Sequence, residues 1–397
     1  MLIRAFFLSA FASLFPLLAS AELPASAKAH AILRGTYENS QIRFEREKKG
    51  HVVFLGGSIT ENKSGHTQMI PAWLEERFPE TEFQFVNAGI ASTCSTSGAF
   101  RLQDHALATG PVDLLIVEFA VNDDQDANHA KREALRGMEG IIQHTRSHNP
   151  AADILVIHYV NPPILEKLQN GEAVTSVSAH ESVAERYELA SVNVGAALAA
   201  GAMTWETYGG THPKKPGYRL ASDMAISVLE KAWSEPVSED ATIIDFPAPM
   251  PMDPGSYNNG SFIDPTEADW MGGWTTGHVS KKLLPSGGIR ERYKAWDITV
   301  AEKAGSMMTL NFRGSAIGAF VLAGPDAAKL EASVDAGDWK PVELYHHHSK
   351  GLNYPRTAMF FTDLPLGNHQ LSLRVAQRPE GQPGGERAAI LKFVVDE

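Results

Sequence analysis

The sequence predicts an α/β domain built on a parallel sheet, followed by an all-β sandwich. Up to about residue 233, five apolar runs alternate with helix-patterned segments. Near-continuous apolar strands separated by helices belong to parallel sheets covered on both faces. Beyond Trp233, helical patterning gives way to short alternating runs divided by turn residues, as in a sandwich. A length of 397 residues suits two such domains.

Residues 1–21 read as a targeting segment. Arg4 supplies the positive start, "AFFLSAFASLFPLL" the apolar stretch, and Ala19-Ser20-Ala21 a small-residue cleavage site. The expectation is export to the periplasm or medium, with cleavage near Ala21 and a mature chain starting at Glu22. Pro16 interrupts the apolar run, which is also short of the roughly 20 residues that a membrane span needs. No membrane insertion is expected.

Residues 22–50 form a charged, partly helical lead-in. Strands are expected at "HVVFLGG" (51–57), "EFQFVNAG" (82–89), "VDLLIVEFAVND" (112–123), "ADILVIHYV" (152–160) and "LASVNVG" (189–195). Helices are expected over 66–78, 129–147 and 178–188, with another from "GYRLASDMAISVLEKAW" (217–233). "FPAPMPMDPGSYNNG" (246–260) reads as a linker or long loop. The sandwich strands are expected at 296–301, 307–312, 316–322, 330–335, 358–362, 369–375 and 389–395. The domains are therefore placed at 22–240 and 241–397.

Composition narrows the function. The formal net charge is −12, without a Lys/Arg cluster. Such a chain is poorly suited to nucleic acid or anionic membranes. A single cysteine, Cys94, leaves no internal disulfide. The chain rests on core packing, which fits a bacterial exported enzyme better than a small disulfide module.

Ligands of open parallel sheets bind beyond the carboxyl ends of the strands. Ser58 stands there after two glycines, Gly89 ends the second strand and Asn122 the third. His212 follows the last strand in the loop "TYGGTHP". Taken singly, these read as a helix cap, a turn glycine, a turn cap and a loop histidine. Together they suit acyl transfer. A serine hydroxyl needs a base, and a neutral imidazole serves near pH 7. The N–H groups of Ser58 and Gly89 and the Asn122 amide suit an oxyanion.

The blocks "FLGGSITEN", "VNAGIAST", "EFAVNDD" and "GGTHP" resemble those of the SGNH/GDSL hydrolases, over about residues 51 to 233. The resemblance implies a flavodoxin-like three-layer fold. It makes Ser58 the nucleophile, Gly89 and Asn122 oxyanion donors and His212 the base. Within the family, the wording resembles bacterial carbohydrate esterases with an added β-sandwich. Two departures stand out. "GGSIT" replaces the commoner "GDSIT", and Gly209 occupies the position of the aspartate that orients the histidine. Glu118, Asp123, Asp124, Glu206 or a backbone carbonyl remain as replacements, the last giving a Ser-His dyad.

Other features carry blander expectations. "NDDQDAN" (122–128) reads as a helix start rather than a calcium loop. "YHHHS" (345–349) reads as a solvated loop rather than a metal site. Cys94 reads as a buried or incidental thiol rather than a second nucleophile, and His66 as a solvated helix start rather than a pocket residue. Trp205 and Tyr208 suit either sugar stacking or core packing. The expected function is removal of a small acyl group, chiefly acetyl, from an acylated carbohydrate, without cofactor or metal. A lipase or thioesterase of the same family is the alternative, as is a binding protein that kept the fold. Polar surroundings ("ENKSGHTQ", "STCSTSG") disfavour long acyl chains.

Overall fold

The computed structural model describes residues 22–247 and 249–397. The expected targeting segment, residues 1–21, lies outside the described residues. The first sheet comprises β1 (Ala31–Ile32), β2 (Lys49–Gly56), β3 (Glu82–Gly89), β4 (Leu114–Glu118), β5 (Asp153–His158) and β6 (Ala190–Asn193). Its order is β1-β6-β5-β4-β2-β3, parallel except for the β1–β6 pair. Disregarding β1, this is the flavodoxin-like order, with the chain reversing direction between β2 and β4. The crevice at the carboxyl ends of those two strands is therefore the place for a ligand.

Side chains leave a strand alternately to its two faces. Val52 and Phe54 of β2 enter one core with Ile116, Leu155 and Trp233. Val53 and Leu55 enter the other with Leu115, Val117 and Phe100. Both cores need apolar residues, which is why the strands read as unbroken apolar runs. Helices α1 (Ser58–Glu61), α2 (His66–Arg77), α3 (Ser95–His105), α4 (Lys131–His148), α5 (Thr175–Arg186) and α6 (Lys215–Ala232) are the ones that matter below.

The named strands of the second region all pair antiparallel. One sheet runs β15 (Tyr354–Phe361), β12 (Ala316–Ala323), β17 (Ala388–Asp396), β10 (Asp297–Ala301) and β9 (Trp274–His278), with β7 (Gly260–Ile263) also on β17. The other runs β14 (Lys340–Glu343), β13 (Lys329–Val334), β16 (Gly367–Val375), β11 (Met307–Gly314) and β8 (Asp269–Met271). Alternation in β11 and β16 follows from one face packing inward and the other meeting water.

Several expectations change. The third strand ends at Glu118, and Asn122–Asp126 forms one wide helical turn instead. Helix α3 is absent from the expected elements, because "STSGAFRLQDH" is rich in small polar residues. Strands β7, β8 and β9 are absent from them too, being three to five residues long and broken by Gly272-Gly273. Among the described residues no helix is long and apolar enough to cross a membrane.

Candidate active site

The turn after β2 is built for close approach. A Cβ at Gly56 would overlap Glu118 and Thr60, and one at Gly57 would overlap the Asn122 amide. With both glycines in place, Glu118 Oε1 accepts the Gly57 N–H at 2.9 Å and the Thr60 hydroxyl at 2.6 Å. Burial pushes the Glu118 carboxyl up to about 7, although the hydrogen bonds from Thr60 and Gly57 pull the other way. From α3, the buried Arg101 donates to the Gly56 carbonyl at 2.9 Å and the Ala88 carbonyl at 2.6 Å. This ties the ends of β2 and β3 together. Ser58 opens α1 from this frame, and its N–H has no hydrogen-bond partner among the described residues.

His212 is brought to Ser58 across 154 residues, with Nε2 2.8 Å from Oγ. The loop that carries it starts at Gly209 and Gly210, with φ of +110° and +124°. A Cβ at Gly209 would overlap Lys214, so no carboxylate can grow from that backbone. The loop closes through the Lys214 N–H, which donates to the Tyr208 carbonyl at 2.8 Å. Tyr208 is fully buried, and Pro213 is buried beside the exposed His212. Tyr208 thus packs in the core, with Trp205 stacked on it at 5.3 Å.

None of the proposed replacement acids reaches the imidazole. Glu118 holds the serine turn. Asp123 accepts from Ser95 and His180. Asp124 pairs with Lys167 at 3.3 Å. Glu206 is exposed, and its backbone carbonyl accepts from Lys214 Nζ at 3.4 Å. Among the described residues, His212 Nδ1 has no hydrogen-bond acceptor, carbonyls included. The arrangement is a Ser-His pair whose ring is set by the loop backbone.

The two expected oxyanion donors differ. Gly89's single N–H is taken by Asn87 Oδ1 at 2.9 Å. Asn122 Nδ2 donates one hydrogen to Asp126 Oδ2 at 2.5 Å, and an amide NH2 keeps a second. The Asn122 oxygen is buried without a partner.

The sandwich region reaches these same strand ends. Arg292 donates to the Gly89 carbonyl at 2.9 Å and pairs with Glu61. Arg290 donates to the Ala91 carbonyl at 2.7 Å and the Ser92 hydroxyl at 2.8 Å. His346 Nε2 donates to the Asp126 carbonyl at 2.7 Å, and His348 Nε2 lies 3.3 Å from Asp126 Oδ1. The histidine run thus makes an interdomain contact through His346 and His348, while His347 and His348 stay exposed as expected of a solvated loop. His66 also departs from expectation. It is fully buried, with Nδ1 2.9 Å from the Tyr159 hydroxyl, and burial pushes its pKa down to about 3. A cavity of about 470 Å³ lies between the regions, lined by Ser92, Cys94, Ser97 and His129 on one side and Tyr354 and Arg356 on the other.

The model of the GDSL-like Lipase/Acylhydrolase family matches residues 54–220, the stretch that carries Ser58, Gly89, Asn122 and His212. Over those residues the α/β region matches that family. It is a carboxylic ester hydrolase fused to a β-sandwich. Among solved structures, the hydrolase is similar to a two-domain esterase (CEX) active on acetylated mannans. The identity is 19%, the TM-score 0.72, and the match covers 93% of this chain and 98% of that one. The same esterase co-crystallized with mannopentaose matches with a TM-score of 0.71 over the same shares. An acetyl xylan esterase, AlAXEase, matches 45% of this chain and 99% of its own at 17% identity, with a TM-score of 0.38. The likeness to the two-domain esterase extends through both domains of the hydrolase and concerns the fold. No curated protein matches the chain.

Proposed function

We propose that the protein is an exported serine esterase that removes small acyl groups, chiefly acetyl, from a polysaccharide or oligosaccharide. On this reading residues 22–240 are the hydrolase domain and 241–397 the sandwich that completes its substrate cleft. The 2.8 Å contact between Ser58 Oγ and His212 Nε2, at the point where the sheet order reverses, carries the proposal.

Ser58 Oγ attacks the ester carbonyl carbon as its proton passes to His212 Nε2. The tetrahedral oxyanion is met by the Ser58 N–H and the second Nδ2 hydrogen of Asn122, each donor contributing about 3 kcal/mol. Collapse breaks the bond to the sugar oxygen, which takes the proton from His212. Water then attacks the acyl-serine, giving its proton to His212. A second collapse frees the acid and returns the proton to Ser58. No step needs a cofactor. The polar residues near Ser58 suit a short acyl group. The overall likeness to an esterase described as active on acetylated mannans supports a glycan as the carrier.

Hydrolysis of p-nitrophenyl acetate by the wild type, Ser58→Ala and His212→Ala tests the chemistry. Ser58→Ala is expected to lose about 10⁴-fold or more in kcat/KM, and His212→Ala about 10²- to 10⁴-fold. Turnover unchanged in Ser58→Ala sinks the proposal. Acetate release from acetylated glycans, set against hydrolysis of long-chain esters, tests the substrate class. Faster hydrolysis of the long-chain esters points to a lipase instead.

A further inference from the structure

Cys94, Asp123 and His129 converge in the hydrolase domain beside the interdomain cavity. Their sulfur, carboxylate and imidazole donor atoms all lie within 4.8 Å of one another. They come from three segments: the residue before α3, the turn after β4, and the approach to α4. None takes part in the proposed ester chemistry.

The surrounding hydrogen bonds fix which atoms face one another. The Thr96 hydroxyl donates its one proton to Glu133 Oε1 at 2.9 Å. Thr96 can therefore only accept from His129 Nε2, 3.5 Å away. That places a proton on Nε2 and, in the neutral ring, a lone pair on Nδ1. Nδ1 is buried without a hydrogen-bond partner and stands 3.6 Å from Asp123 Oδ2. Asp123 is itself held by the Ser95 N–H at 2.7 Å, the Ser95 hydroxyl at 2.6 Å and His180 Nε2 at 2.9 Å. The Asp123 carboxylate and the His129 Nδ1 thus face one another in a buried space beside the Cys94 thiol, whose proton a bound cation displaces. A carboxylate facing a neutral imidazole nitrogen is unfavourable unless positive charge lies between them.

We propose that Cys94, His129 and Asp123 form a site for a borderline-soft divalent cation, zinc foremost. One sulfur, one nitrogen and one oxygen donor suit that ion, and three protein ligands leave a fourth position toward the cavity. The Ser95 and His180 bonds to Asp123, and the Thr96–Glu133 relay behind His129, are the outer contacts that orient such ligands. Binding draws the donors inward to about 2.0–2.3 Å from the ion and ties together the three segments that carry them.

Cobalt(II) titration of the full chain, reduced and free of any polyhistidine tag, tests this. Cys94 is the sole thiol, so a sulfur-to-cobalt charge-transfer band in the near ultraviolet reports this site and not the histidine run at 346–348. The expected result is one cobalt per chain with that band, displaced by zinc. Cys94→Ser is expected to abolish the band, and His129→Gln to weaken cobalt binding at least about 100-fold. His348→Ala is expected to leave the band intact. Absence of the band in wild type with its thiol shown to be free overturns the proposal. So does cobalt binding of equal strength in wild type and Cys94→Ser. The wild-type titration decides the matter even if a variant fails to fold.

Discussion

The serine turn and the histidine loop meet at a single hydrogen bond, yet they are built in opposite ways. The turn after β2 is over-determined: Glu118, Arg101 and the Asn122 amide all bear on it, and two glycines exist because those neighbours leave no room. The loop around His212 is exposed and set by backbone alone, through two left-handed glycines, Pro213 and one closing N–H···O bond to buried Tyr208. Precision is concentrated on the proposed nucleophile, whose displacement by an ångström is costly. An imidazole that only has to reach Oγ tolerates looser support.

The strongest way to break this contrast is to alter the support of the turn. Glu118 ordinarily titrates near 4.5 but is raised to about 7 in the fold. The folded state therefore binds the proton more tightly. Its contribution is fully present below about pH 4.5 and is lost as pH rises through about 7. Relative to Glu118→Gln, the wild type is expected to lose about 3 kcal/mol of stability over that window. Urea denaturation of both proteins across pH 4–8 measures it, and parallel pH profiles refute it.

On the loop side, Gly209→Asp restores the residue type the family places there. The backbone is left-handed and Lys214 occupies the space, so the expected outcome is a loss of about 1–3 kcal/mol with no gain in kcat. Thermal melts and p-nitrophenyl acetate kinetics check both halves.

Asp126 links the regions, since it holds the Asn122 amide and is itself met by His346 and His348. Asp126→Ala is expected to lower kcat about tenfold, a misplacement worth roughly 1.4 kcal/mol, with KM little changed. A fall confined to KM places Asp126 in substrate binding instead. The smallest effects sharpen the reading of the base. Asp124→Asn and Glu206→Gln are expected to leave kcat/KM within about twofold, or roughly 0.4 kcal/mol, because neither acid touches His212. A large loss in either reveals a triad acid.

The legible features are those written in local pattern. The apolar runs mark the parallel strands, since both faces of that sheet are buried. Ser58 and His212 are readable because strand-end glycines and the GGTHP loop flag them. What escapes the sequence is tertiary. The capture of Gly89's amide by Asn87, two residues away, depends on a rotamer. The Arg290 and Arg292 contacts come from about 200 residues downstream. His66 reads as solvated because its neighbours are polar, but Tyr159 and Tyr218 close over it. The acid missing at Gly209 is plain in the sequence. Its reason, a backbone and a lysine that exclude any side chain, is visible only in three dimensions.

One apolar core runs without a break from Val53 and Val117 through Phe100 and Tyr257 to Phe320, Leu322 and Leu391. The two domains are therefore poor candidates for shuffling. Cutting the chain between them exposes a greasy surface on each piece, so heredity has to pass them on as a couple.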